Sequence, residues 1–357
     1  MNCGMRSEQR INIMEDTTLT IKQISDLAGV SVATVSRVIN QKGKYSKETE
    51  EKILRIIEEN NYSPNAIARS LRKNQTRVVG IIVPDITNEF FAKLTLSAQN
   101  HLLRYQYMAI ICNTNENQHL ERMHLDMLKS QRISGLIIAG QNLHTNLSPT
   151  FPVVFVDRPI YEKEASSEDG KKYILIESDN RNGGYLAAKE LISKKCKNPA
   201  MVCFTKRTHK TECARYLGFC DALEEHGMDS SHAVVQFVED GTTGTGNVAT
   251  CEILAKDPTV DGIFYSNDLL AVGGMNALES IGKKVPDDIK VVGFDNISLS
   301  QVTIPSLTTC SQNIDELSKE AVDCLYKLMN SLPVVQPEKV AVSLVVRDSS
   351  AAKSGDR

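Results

Sequence analysis

No apolar stretch in these 357 residues approaches the roughly 18 needed to span a bilayer. No membrane crossing is therefore expected. Residues 1–16 are polar and carry both charge signs, which fits neither the apolar core of a signal peptide nor a basic transit helix, so the expected location is cytoplasmic. The nine cysteines (Cys3, Cys112, Cys196, Cys203, Cys213, Cys220, Cys251, Cys310 and Cys324) are odd in number and include no C-x-x-C pair. Neither a disulfide framework nor a zinc site is indicated, and the thiols read as small buried hydrophobes in a reducing compartment. Enzyme signatures are missing too. There is no G-x-S-x-G, no H-E-x-x-H, and the seven histidines are dispersed, so no nucleophile with a partnered base emerges and an enzyme is not expected. The run GTTGTG at 241–246 lacks the Lys and Ser/Thr of a phosphate loop and is not read as strand, turn and helix with fingerprint spacing.

What is present is a chain long enough for two or three units, with ordinary fractions of charged (24%) and hydrophobic (41%) residues. The net charge of -3 is unevenly spread: residues 1–77 carry +4 and the remaining 280 carry -7. A basic head on an acidic body suits a nucleic-acid-binding module joined to a domain that does not touch nucleic acid.

Within the head, TIKQISDLAG spaces Ile24, Leu27 and Ala28 as a helix that stops at Gly29. Ser31 is a good N-cap for a second helix whose core face is Val35, Val38 and Ile39 and whose other face carries Val32, Ala33, Ser36, Arg37 and Asn40. Two helices joined by a short Gly-containing turn form the helix-turn-helix plan, in which the second helix enters the major groove. Arg37 has the planar fork that bonds guanine O6 and N7 together, and Val32 and Ala33 offer apolar contacts to a thymine methyl. Ser31, Thr34 and Asn40 suit phosphate contacts. A third helix from Ser46 packs Ile53, Leu54 and Ile57, and Ser63-Pro64 starts a fourth, very short one carrying Asn65, Arg69 and Leu71, with Arg72, Lys73 and Arg77 just beyond. So short a helix is stable only when something holds it, and Leu71 is able to wedge between base steps in a minor groove.

The ordered string L-A-G-V-S-x-x-T-V-S-R-V-I-N followed by Y-x-P-N-x-x-A-R-S-L resembles the headpiece and hinge of the LacI/GalR family of bacterial repressors. The resemblance implies a homodimer on a pseudo-palindromic double-stranded operator, with Val32, Ala33 and Arg37 reading bases and Leu71 from two subunits opening the central step.

From Arg77 onward, VVGIIV, MAIICN, GLIIAG, PVVFVD, YILIES, AMVCFT, VVQFV, GIFYSN and IKVVGFDN alternate with helical stretches. Such runs mark strands buried on both faces of parallel sheets in an α/β architecture, whose ligands bind beyond the strand carboxyl ends. At those ends stand Asp85 with Phe90 and Phe91, Asp157 with Arg158, Asn267 with Asp268, and Asp295 with Asn296. Carboxylates, amides and an arginine meet hydroxyl groups, and aromatic faces stack on sugar rings, although an Asp or Asn after a strand is also an ordinary cap or turn former.

The family resemblance continues over 77–350, where it implies a body similar to periplasmic sugar-binding proteins: two Rossmann-like lobes with three chain crossovers. It divides the chain into an extension (1–17, expected disordered), a helix-turn-helix domain (18–62), a hinge helix and linker (63–76), an effector-binding and dimerisation body (77–350) and a tail (351–357). Lobe 1 is about 77–177 plus 309–338, and lobe 2 is 178–308 plus 339–350. By motif position, Phe90, Phe91, Asp157, Arg215, Asn267, Asp268 and Asp295 face a small effector, a sugar or sugar phosphate, between the lobes, with no other cofactor; Arg158 joins them by its place at the end of PVVFVD. Two alternatives stay open: control by a phosphorylated carrier protein as corepressor, and a sugar-binding transport component.

Overall fold

Thr20 caps the first helix from both directions, accepting from the Gln23 N–H while its own N–H donates to Gln23 Oε1 at 2.7 Å. This capping box fixes α1 (Ile21–Ala28), and Gly29 ends it in the left-handed region at φ 69°, where a side chain is costly. Ser31 accepts from the Thr34 N–H to start α2 (Val32–Ile39), and Ser46 does the same for α3 (Lys47–Glu59) through Thr49. Ile24, Ala28, Val35, Val38, Ile53 and Tyr62 form the core of these three helices. Two expected core members lie outside it: Leu27 is 56% and Leu54 48% exposed. Ile53 occupies the core-facing position of α3 with Ile56 and Ile57 packed beside it, and Leu54, one residue on, is turned about 100° away.

The computed structural model describes residues 19–60, 62, 76–140, 151–157, 174–204 and 210–351. The chain divides into two compact units, Met1–Thr76 and Arg77–Arg357. The expected hinge helix, with Asn65, Arg69, Leu71 and Arg72, falls outside the described residues, as does Arg158.

The larger unit is α/β. Its first lobe contains β1 (Val78–Val83), α4 (Glu89–Arg104), β2 (Met108–Asn113), α5 (Gln118–Ser130), β3 (Gly135–Ala139), β4 (Val153–Val156) and β5 (Ile174–Ile176). These strands form a parallel sheet in the order β2-β1-β3-β4-β5. The second lobe follows with α6 (Asn180–Ser193), β6 (Pro199–Phe204), α7 (Lys210–Glu225), β7 (Val235–Val238), α8 (Thr243–Lys256), β8 (Gly262–Tyr265), α9 (Asp268–Ser280), β9 (Lys290–Asp295), α10 (Leu299–Val302) and β10 (Thr308–Gln312). Then α11 (Ile314–Met329) returns to pack on the first lobe against α4, β3 and β4, and β11 (Val342–Val345) rejoins the second sheet, ordered β11-β10-β9-β8-β6-β7. Only β11 is antiparallel in that sheet, pairing with β10. The chain thus passes between lobes three times, as expected.

One lobe boundary needs correction. Residues 309–312 belong to the second lobe rather than the first, because Thr308 to Ser311 pair in parallel with Val292 to Asp295. The crossover falls after Gln312. Among the described residues no helix is long and apolar enough to cross a membrane. The described cysteines are free thiols; Cys112, Cys196, Cys203, Cys310 and Cys324 are buried, Cys213 and Cys220 partly so, and Cys251, against expectation, is exposed.

The GTTGTG run follows β7 and forms the turn into α8 and its first residues. Its anion-binding position is already filled: Asp240 accepts from the Thr242 N–H at 3.0 Å and the Thr245 hydroxyl at 2.5 Å. Two of its glycines serve packing, since a Cβ on Gly241 would lie 2.3 Å from Asn267 Nδ2 and one on Gly246 2.1 Å from the Leu270 carbonyl oxygen.

Candidate functional site

Two regions hold the predicted residues. In the first unit, α2 buries Val35 and Val38 and turns Ala33, Arg37 and Asn40 to solvent, with Val32, Thr34 and Ser36 half-buried between them. Arg37 lies in the last turn, favourable to the helix dipole, with its side chain passing along Gly43. No acidic residue occurs from Gly29 to Lys47, while Arg37, Lys42, Lys44 and Lys47 do, so this edge is positive. At the opposite end, the N–H groups of Val32 and Ala33 have no acceptor within the helix and point along its positive pole, a ready arrangement for a phosphate. The Ser31 hydroxyl is occupied as cap and touches Thr34 Oγ1 at 2.9 Å. Asn40 donates back to the Ser36 carbonyl at 2.6 Å, which holds its amide on the helix.

In the second unit the predicted effector residues separate into three groups. Phe90 and Phe91 are 3% and 4% exposed and belong to the first lobe's apolar cluster, packed edge to face at 5.1 Å. They frame the lobe as part of its apolar core. Asn267 and Asp268 are also structural in the first instance. Asn267 caps α9 through the Leu270 N–H at 2.7 Å and donates to the Gly241 carbonyl at 3.2 Å. Asp268 is 1% exposed and accepts from Thr309 Oγ1 at 2.5 Å and the Ile297 N–H at 2.9 Å. Burial pushes its pKa up to about 7 against the pull of those donors. It turns into the lobe, against Thr309 and Ile297.

Asp157, Arg215 and Asp295 make the third group. Asp157 and Asp295 end their strands at φ 70° and 110°, strained positions that redirect the chain at the sheet's carboxyl edge. Arg215 is 3% exposed; its Nε donates to Asn180 Oδ1 at 2.8 Å, its Nη1 to the Ser266 carbonyl at 2.6 Å, and its guanidinium lies 3.7 Å over the Phe294 ring. Gly184 makes this position attainable: a Cβ there would stand 1.9 Å from the Arg215 carbonyl oxygen, so α6 and α7 approach only without one.

Sequence reasoning missed Gln312, Ser178 and Arg347. Gln312 Nε2 donates to Asp295 at 2.7 Å, and its Oε1 accepts from the buried Ser178 hydroxyl at 2.7 Å. Both Ser178 and Gln312 lie at lobe crossovers, where Ser178 also bridges Val340. Arg347 donates to Asn296 Oδ1 at 2.6 Å and to the Leu307 carbonyl at 2.7 Å, bracing the loop after β9. A polar residue at a strand's carboxyl end was the available signal for Gln312, but β10 has no apolar run to mark it as a strand.

Comparison with known proteins agrees with this division. Residues 20–65 match the model for bacterial regulatory proteins of the lacI family, and 188–350 match a periplasmic binding protein-like domain. A ribose operon repressor of Halalkalibacterium halodurans is 35% identical over 336 residues, 93% of this chain and 97% of that one. The HTH-type transcriptional repressor PurR of Pasteurella multocida is 35% identical over 315 residues, 87% of this chain and 92% of that one. In fold, the lac repressor dimer bound to operator and the anti-inducer ONPF aligns with TM-score 0.81 at 24% identity, over 94% of this chain and 99% of that one.

Proposed function

Because this chain belongs to the lacI family of bacterial regulatory proteins, with a DNA-binding domain and an effector-binding domain, we propose that it represses carbohydrate-utilisation genes from a pseudo-palindromic operator and answers to a sugar or sugar phosphate. The observation that carries the proposal is α2 itself. It buries one face in a three-helix core and offers Arg37, Ala33 and Val32 together on the other, within a segment from Gly29 to Lys47 that holds no acidic residue. In this reading Arg37 reads a guanine, Val32 and Ala33 meet thymine methyls, and Ser31, Thr34, Ser36 and Asn40 position the helix on phosphates. Asn65, Arg69, Leu71 and Arg72 act at the centre of the operator.

A homodimer suits the first lobe, whose edge strand and flanking helices expose Leu96, Leu103, Met108, Ile111, Met123 and Met127. So much exposed apolar surface marks an interface, and two copies bring two recognition helices to two half-sites. The sugar reading rests on the hydroxyl-binding chemistry of Asp157 and Asp295 at the strand ends and of Arg215 on α7, and on the likeness to a ribose operon repressor. Arg158 joins that group from sequence position alone.

Removing residues 1–77 tests the arrangement: duplex binding is lost while ligand binding survives in the remainder. A thermal-shift series with D-ribose, other pentoses and their phosphates identifies the effector, with at least one raising the melting temperature. If none shifts it, the sugar assignment fails while the DNA-binding assignment stands.

A further inference from the structure

Glu89 opens α4 at the carboxyl edge of the first sheet, and Ser298 lies just before α10, behind β9 of the second. They meet across the lobes. The Ser298 N–H donates to both carboxylate oxygens of Glu89, at 2.8 and 2.9 Å, and the Ser298 hydroxyl donates to Oε1 at 2.7 Å. Lys93, one turn along α4, pairs with the same carboxylate. Burial raises the carboxyl's pKa, but Lys93 and the Ser298 donors outweigh it and leave the group below its ordinary value, charged at neutral pH.

The partner of Glu89 is firmly held from its own side. Four consecutive residues are each tied elsewhere: Asp295 to Gln312 at a crossover, Asn296 to Arg347, Ile297 to Asp268 through its N–H, and Ser298 to Glu89. A displacement of Asp295 at the cleft therefore reaches Ser298 with little slack, and Ser298 touches the other lobe. We propose that Glu89 and Ser298 form a latch that holds the two lobes at their present angle and passes movement of the 295–298 segment to α4. The latch stands whatever the effector proves to be.

Amide hydrogen exchange on the ligand-free, full-length protein tests it, because the neighbouring N–H groups of Ile297 and Ser298 are bonded within and between lobes respectively. Glu89→Ala accelerates exchange at Ser298 about 3- to 10-fold, the equilibrium value of an exposed hydrogen bond, while Ile297 keeps its rate. Small-angle scattering of the same variant shows a larger radius of gyration as the lobes part. The proposal is overturned if Ser298 exchanges without protection in the wild type, if both amides accelerate together, which is unravelling of the loop, or if the scattering of Glu89→Ala is unchanged.

Discussion

Gln312 donates to Asp295 at 2.7 Å while accepting from Ser178, so one side-chain amide ties the cleft end of β9 to two of the three passages between lobes. Ser178 is 1% exposed and Gln312 5%, which places the bond between them out of water, while the bond to Asp295 is partly buried. Gln312→Ala removes both and is expected to destabilise the body by about 1–3 kcal/mol. Urea unfolding gives that figure, and operator titration gives the second consequence: sequence preference is retained while the response to effector weakens. A response as strong as wild type would dissociate Gln312 from coupling.

Glu121 is a second buried group with a directional prediction. It is 4% exposed, in the first turn of α5, with Oε1 buried and without a hydrogen-bond partner, and burial pushes its pKa from 4.5 up to about 7. The native state therefore holds a proton that the unfolded chain releases between about pH 4.5 and 7, so stability is full below that window and falls as pH rises through it. Glu121→Gln removes this loss. It is expected to raise stability at pH 8 by about 1–2 kcal/mol, allowing for solvent screening, and to change little at pH 4.5. Equal effects at both pH values would show that the carboxyl does not titrate there.

The alternation of apolar runs and helices revealed nearly every strand, and the stop at Gly29, the cap at Ser31 and the start at Ser46 placed one end of each of three helices within a residue. What escaped was β10, TTCSQ, whose residues look solvent-facing. Thr308 and Thr309 are fully buried all the same, because hydroxyl bonds to Arg347, Ser350 and Asp268 satisfy them, and a pattern of hydrophobicity carries no trace of such pairing. The same limit explains the site. Asp268 and Asn267 stand at a strand end like ligand contacts, but their partners, Thr309, Ile297 and Gly241, are distant in sequence. Phe90 and Phe91 fill a core completed by α11, more than 200 residues later.

Gly184 offers a steric test of Arg215. Gly184→Ala sets a methyl against the Arg215 carbonyl, forcing α6 and α7 apart at a cost of about 1–3 kcal/mol. The guanidinium then loses its seat between Asn180, Ser266 and Phe294. Expected is a fold still able to bind its operator but with effector affinity down by tenfold or more, read by calorimetry with the sugar that the thermal-shift series identifies. Unaltered affinity would remove Arg215 from the effector site.

The most direct measurement is selection of preferred duplexes from a randomised pool by the full-length protein at physiological salt, with wild type and Arg37→Ala run side by side. Wild type is expected to enrich a pseudo-palindrome, and Arg37→Ala to lose preference at one position of each half-site, a change of about 1–3 kcal/mol in discrimination. Failure of the wild type to enrich any sequence, with or without candidate sugars, would contradict the account.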